Sequence, residues 1–288
     1  MAKLSIITIN RNNATGLRKT MESVFAQTYR DFEYIVIDGA STDDSVNVIY
    51  DYEAANQAFP NPLTFIWKSE PDTGIYNAMN KGLRMSHGEY TLMLNSGDYL
   101  VDERVIERVS MELHSEDMIQ GNEIVEYPNY TIRDRGYGCS NISFFDAMDG
   151  YILHQATFIR LSLLERYGYY DESYKKASDS YFFIRAICFG DATFRYIDVD
   201  VTNFDPSGIS SKQNEKWVQI GKYEDARWYS ENIPPRLKEL YRTAPTKIRI
   251  YDTLSRNKLI WFFVRILKRI AEWLSPMPEK IKKERINV

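Results

Sequence analysis

Cysteine and histidine are scarce: 288 residues contain two Cys and three His. Two cysteines, Cys139 and Cys188, build neither a disulfide framework nor a thiolate metal cluster, and a reducing compartment is the simpler expectation. Long apolar runs are also missing. No stretch of about 18 uninterrupted apolar residues occurs, so no membrane-spanning helix is expected. The apolar run at residues 4–9 stops at Asn10 and Arg11, too short for a signal-peptide core followed by a cleavage site. The expected location is therefore cytoplasmic. A basic excess is lacking too: 36 Lys and Arg stand against 40 Asp and Glu, a formal net charge of −4, which argues against nucleic acid as a partner of the whole chain. Neither an internal repeat nor a low-complexity tract is visible.

What is present is ordinary globular material, 44% hydrophobic and 26% charged, enough to bury a substantial core. The length suits one large α/β domain or a domain with an appendage. Aromatics are heavy at 14%, with 21 Tyr; they serve either as half-buried residues around a core or as stacking and interface surface. Charge is uneven. Residues 247–288 hold eleven Lys and Arg against four Asp and Glu, a net of +7, which leaves −11 on residues 1–246. A basic segment on an acidic body suggests a tail with its own electrostatic partner.

The first hundred residues alternate between two periodicities. Residues 4–9, 32–38, 63–68 and 90–94 are short apolar runs that predict strands buried on both faces. Residues 16–27, a segment running to about 58, and 74–86 carry helical spacing, as with Ile75, Met79 and Leu83. This βαβ alternation predicts a largely parallel sheet flanked by helices. Ligands of such sheets bind beyond the carboxyl ends of the strands, and Asn10, Asp38, Asp72 and Asp98 all fall at or just after strand ends. Beyond residue 102 the pattern loosens. Helices are expected at 105–113, 144–148, 161–167, 179–189 and 213–232, strands at 118–127 and 193–201, and irregular chain at 130–141.

The fourth strand runs into Asn95-Ser96-Gly97-Asp98. Hard divalent cations such as Mg2+ or Mn2+ take one or two carboxylates plus substrate phosphates, so a single Asp can suffice where a diphosphate supplies the other oxygens. The same residues are also ordinary turn chemistry after a strand. Context adds three elements in order: Thr8-Ile9-Asn10 closing the first strand, Asp38-Gly39-Ala40-Ser41-Thr42-Asp43 after the second, and Asp72-Thr73-Gly74-Ile75-Tyr76-Asn77-Ala78-Met79-Asn80-Lys81-Gly82 after the third. Together the four resemble the family 2 glycosyltransferases with a GT-A fold, in particular the bacterial branch that builds surface polysaccharides.

The resemblance implies a nucleotide-sugar donor, a saccharide or lipid-linked saccharide acceptor, and a role for each matching residue. Thr8 and Asn10 would contact the nucleoside, Asp38 the uracil (or other base) edge, and Asp72 the base side. Asn80 and Lys81 belong to the Asn-Lys-Gly signature, with Lys81 near phosphate, and Asp98 would hold Mg2+ or Mn2+ on the diphosphate. Two positions depart from the pattern. Asn95 and Gly97 stand where many members carry further carboxylates, and Asn77 where a carboxylate is frequent.

An inverting transfer needs a base for the acceptor hydroxyl. Asp179, in Ala177-Ser178-Asp179-Ser180-Tyr181-Phe182-Phe183-Ile184-Arg185, matches the element that carries that base in these enzymes. On bare sequence the same segment also reads as a plain helix cap at Ser178 or Asp179, and Asp171 is a nearby competitor. His154 and Gln155 match a His-Gln-x-x-Phe element on the acceptor side, although a lone His is also a common structural residue. The segment at 203–211 resembles a Gly-Ile-Ser loop whose Gly208 and serines could close over the diphosphate through backbone N–H groups.

Residues 258–274 are apolar over most of a helix, with Lys258, Arg265, Arg269 and Glu272 in one narrow stripe and Trp261 and Trp273 near the ends. Lys280, Lys282, Lys283 and Arg285 follow. This suits an amphipathic helix lying on an anionic membrane surface through residues 258–285, or a helix packed on the domain or on another subunit. The expected organisation is a GT-A domain at 1–232, with a nucleotide-binding half at 1–101 and an acceptor half at 102–232, then a basic helical tail at 233–288. Two rivals differ in testable features. A sugar-1-phosphate nucleotidyltransferase needs a Gly-rich, basic loop after the first strand, where this chain has Asn10-Arg11-Asn12-Asn13; a non-catalytic scaffold would bind no nucleotide.

Overall fold

A computed structural model describes residues 3–127, 129–142, 152–206 and 215–235, together with 262, 263, 265–267, 269 and 270. Strand and helix alternate through the first part: β1 (Leu4–Asn10), α1 (Ala14–Phe25), β2 (Glu33–Asp38), α2 (Ser45–Gln57), β3 (Thr64–Ser69), α3 (Ile75–Met85) and β4 (Tyr90–Met93). Strand β1 pairs in parallel with β2 and β4, and β2 with β3. Successive side chains of a strand point to opposite faces. Leu4 and Ile6 accordingly pack with Leu17, Met21 and Val24 of α1 and Val48 and Ile49 of α2, while Ile7 packs with Met79 and Leu83 of α3 on the other face. Both faces of the sheet are thereby covered, as parallel strands require.

The rest of the order is β5 (Tyr99–Leu100), α4 (Val105–Ser110), β6 (Met118–Tyr127), β7 (Tyr130–Asp134), a 3-10 turn at His154–Ala156, β8 (Thr157–Arg160), α5 (Leu161–Tyr167), α6 (Ser178–Cys188), β9 (Phe194–Phe204) and α7 (Glu215–Asn232). The sheet runs β3-β2-β1-β4-β8-β6-β9-β5, with β7 beside β6. Strand β8 is antiparallel to both β4 and β6, and β5 to β9, while β6 and β9 are parallel.

Two expectations are corrected and one strand is added. The irregular stretch at 130–141 begins with β7, an antiparallel partner of β6; residues 130–133 are exposed, so no burial pattern marks it and backbone pairing alone makes it a strand. Residues 157–160 form β8, too short to show alternation. Strand β9 continues to Phe204 because its last residues pair with both β6 and β5. The expected helix at 144–148, the loop at 207–211, and most of the tail, including Lys258, Trp261, Trp273 and residues 280–285, lie outside the described residues.

The chain separates into two units, residues 1–228 and 229–288. In the second, Phe262, Phe263, Ile266, Leu267 and Ile270 are helical and exposed, as are Arg265 and Arg269. No described helix is long and apolar enough to cross a membrane.

Candidate active site

The parallel register brings Asn10 opposite Asp38 and Asp38 opposite Ser69 at the carboxyl ends of β1, β2 and β3. Asp38 is fully buried, and its carboxylate accepts from Asn10 Nδ2 (2.9 Å), Ser41 Oγ (2.5 Å), Ser41 N (2.9 Å) and Ser69 Oγ (2.7 Å). Burial pushes this carboxyl up, but the hydrogen bonds from Ser41, Ser69 and Asn10 together hold it below its ordinary value. Asn10 Oδ1 is buried with no hydrogen-bond partner among the described residues. The rim loops carry backbone strain: Asn12 and Ala40 sit in the left-handed region at φ 51° and 55°, a conformation that concentrates at functional sites. Asp72 lies against this turn. A Cβ on Gly39 would come 2.2 Å from Asp72 Oδ2, so a side chain there would push the carboxylate aside, and Arg11 lies 3.5 Å from Asp72 Oδ1.

Thr8 is fully buried; it donates to Leu94 O (2.8 Å) and accepts from Tyr34 OH (2.9 Å), so its hydroxyl braces the end of β1. Asn80 is likewise buried; its amide clamps Tyr170 N and O and donates to Glu172. Lys81 is engaged at 3.0 Å with Glu70 and at 2.8 Å with Pro71 O, contacts that tie its ammonium to the loop after β3.

Asp98 occupies a turn held by Thr20 of α1, which donates to Asp98 O (2.7 Å) and accepts from Gly97 N (3.0 Å). Gly97 adopts φ 111°. The Asp98 side chain is buried and accepts from the backbone N–H of Asp205 (2.9 Å). Burial pushes its carboxyl up to about 7; repulsion from Asp205 adds to this, whereas the Asp205 N–H and Lys19 oppose it. Glu123 of β6 is raised to about 8, by burial first and then by Asp98 and Asp134.

Asp179 is the second residue of α6. It does not cap the helix: Ala177 holds the cap position, with no side-chain cap bond. The Asp179 carboxylate instead accepts from Tyr76 OH of α3 at 2.7 Å, and its side chain remains 21% exposed. His154 Nδ1 lies 3.9 Å from Asp179 Oδ2, beyond hydrogen-bond reach, while Nε2 is 3.0 Å from Tyr170 OH. Burial lowers the His154 imidazole, against the pull of Asp179; Tyr76 is held well above its ordinary value by burial and then by Asp179, so it keeps its proton and donates. Gln155 is half-buried beside His154. Asp171 is a turn residue, accepting from Ser173 N at 2.9 Å.

The family 2 glycosyl transferase model matches residues 5–159. The chain belongs to glycosyl transferase family 2. Among similar proteins, an uncharacterized glycosyltransferase of Mycobacterium tuberculosis is 32% identical over 75% of this chain and 79% of its own length. A PGL/p-HBAD biosynthesis glycosyltransferase of Mycobacterium bovis is 30% identical over 71% of this chain and 77% of its own. S. aureus TarS, solved in complex with UDP-GlcNAc, has the same fold with a TM-score of 0.64 at 17% identity, covering 83% of this chain and 70% of that one. The mannosyltransferase PcManGT from Pyrobaculum calidifontis, solved with GDP-Man and Mn2+, gives 0.62 at 14% identity, covering 93% and 80%. The fold of this glycosyltransferase is therefore GT-A.

Whether its residues suit a divalent cation can be judged on the donor set. Among the described residues no group of three or more His, Cys, Asp and Glu is arranged to hold an ion. Asp98 nevertheless lies in a turn with Asn95 Oδ1, a buried oxygen without a hydrogen-bond partner among the described residues, and the Asp205 carboxylate comes close enough to Gly97 that an added Cβ would meet its Oδ2 at 3.2 Å. These are hard oxygen donors, few in number, and fit an Mg2+ or Mn2+ whose shell a diphosphate completes.

The sequence left several participants unnoticed. Tyr76 sits inside a quoted motif, yet only its hydroxyl's partner gives it a role. Glu172 accepts from Asn77 Nδ2 (2.8 Å) and Asn80 Nδ2 (2.9 Å), which places a carboxylate beside position 77. Asp205 reaches Asp98 because β5 pairs with β9, and no local spacing signals that.

Proposed function

We propose that this glycosyltransferase moves a hexosyl or N-acetylhexosaminyl group from a nucleoside-diphosphate sugar, with UDP as the nucleotide, onto an acceptor hydroxyl with inversion. The acceptor oxygen forms the new bond to the anomeric carbon as the bond to the diphosphate breaks, the diphosphate departs with the electron pair, and Asp179 takes the proton. The observation that carries this reading is the Tyr76–Asp179 bond: it ties the carboxylate to the helix that follows the Asp72 loop and leaves Oδ2 to act. Neutral His154 beside that oxygen keeps the surroundings of the base free of a competing cation. Asn10, Asp38 and Asp72 hold the nucleoside. Asp98 would hold Mg2+ or Mn2+, which when bound would neutralise charge on the leaving diphosphate.

The acceptor is a saccharide or a lipid-linked saccharide in cell-surface polysaccharide synthesis, a reading supported by the biosynthetic name of the Mycobacterium bovis relative. The enzyme works in the cytoplasm, on the inner face of the cell membrane, with residues 258–285 against anionic lipid; the exposed apolar and basic side chains at 262–270 support this. The deciding experiment combines calorimetry of UDP with Mn2+ and transfer assays over a panel of nucleotide sugars, on wild type and Asp179→Asn. The variant should bind UDP as wild type does and lose transfer by about 100-fold to 10,000-fold. Wild-type turnover in the variant would remove Asp179 as the base, and failure of the wild type to bind UDP would remove the donor assignment.

A further inference from the structure

Helix α6 starts without help from its own side chains, because Ala177 at the cap position has no oxygen to offer. The amides just before it are nevertheless satisfied. Glu224 of α7 is 5% exposed, and its carboxylate accepts from the consecutive N–H groups of Lys175 (2.5 Å), Lys176 (3.0 Å) and Ala177 (3.2 Å). Three successive amides turned on one anion form a nest, at the end of α6 where the helix dipole favours negative charge. Other contacts of α7 converge on the same segment. Lys176 Nζ donates to Trp217 O (3.2 Å), Tyr181 OH donates to Asp225 Oδ1 (2.9 Å), and the Tyr181 and Trp228 rings stack at 5.0 Å. Asp179 lies two residues beyond the last of the three amides.

We propose that Glu224 is a positioning residue: by gripping the amides of residues 175–177 it sets the start of α6 and hence the carboxylate of Asp179. The division of labour is physical. A carboxylate from α7 fixes the amides that lead into α6, the Ser178 and Asp179 amides face the Tyr76 hydroxyl, and the Asp179 carboxylate accepts from that hydroxyl with its other oxygen toward the open side. The inference rests on Asp179 as the base, and its test separates the two claims.

Full-length wild type, Glu224→Ala, Glu224→Gln, Asp179→Asn and the Asp179→Asn/Glu224→Ala double variant would be compared in three measurements: amide hydrogen exchange of the peptide covering residues 175–183, calorimetry of UDP with Mn2+, and steady-state transfer. Glu224→Ala should speed exchange in that peptide and lower kcat by about 10-fold to 100-fold, the scale of a displaced catalytic group, with UDP affinity and the donor KM unchanged. Glu224→Gln, which keeps an acceptor oxygen, should lose less and serves if the Ala variant does not fold. On the Asp179→Asn background the second substitution should cost nothing further. Unchanged exchange at 175–183, a wild-type kcat, or a full additive loss in the double variant overturns the positioning role. Wild-type transfer by Asp179→Asn alone overturns the base instead.

Discussion

Asp38 shows how far single-residue chemistry goes in this site. Four donors converge on one buried carboxylate, and replacing it by Asn would set an amide N–H against donors that already point inward; unsatisfied buried groups of this kind cost about 1–3 kcal/mol each. The carboxyl is held below its ordinary 3.8, so its stabilising contribution is complete above that pH and is lost as pH falls through the lower folded value. Thermal unfolding of wild type and Asp38→Asn should therefore show a constant gap at neutral pH that narrows below 3.8. A gap that widens toward acid would contradict the network. The carboxylate after β2 was evident from sequence, as was the Asp98 turn. Motif position alone did not reveal that the Thr8 and Lys81 side chains contact Leu94, Tyr34, Glu70 and Pro71.

Among the elements, α3 is the pivot: its first turn carries Tyr76, its middle Asn80, and its inner face lies on β1. Gly82 makes that approach possible, since a Cβ there would lie 2.4 Å from Ile7 Cγ2. Helix propensity alone favours Ala over Gly by about 1 kcal/mol, whereas overpacking costs about 1–3 kcal/mol. The close contact should win, so Gly82→Ala is expected to lower the urea midpoint without changing the slope; a raised midpoint would mean the helix can shift freely. Helices and strands with a buried face were legible because burial imposes a period. Strands β7 and β8 were not, because the first is mostly exposed and the second only four residues long; β7 is defined by pairing with the preceding strand β6, and β8 by pairing with the more distant β4 and β6.

For the molecule as a whole, the acidic body and basic tail divide the charge, and the surface of the tail is where a membrane would act. Anionic lipid attracts each nearby Lys or Arg by about 1 kcal/mol. Arg265→Glu/Arg269→Glu should therefore reduce co-sedimentation of the full chain with phosphatidylglycerol vesicles by about tenfold or more, while wild type should leave phosphatidylcholine vesicles unbound. Equal binding of both proteins to the anionic vesicles would argue for packing against protein instead. Net charge and its asymmetry are read directly from composition, whereas the exposure of Phe262, Phe263, Ile266, Leu267 and Ile270 is a structural fact.

Sequence by itself determined the family, the parallel half of the sheet, and the rim on which Asn10, Asp38, Asp72 and Asp98 fall, because periodicity and strand-end position are local properties of the chain. Tertiary structure alone decided which groups meet. Tyr76 finds Asp179 across 103 residues, Asp205 reaches Asp98 across 107, and Glu224 grips the start of α6 from a helix of its own. The Asp98–Asp205 contact follows from the order β4-β8-β6-β9-β5, in which strands distant along the chain become neighbours. Backbone pairing, with no residue-type signature of its own, sets that order.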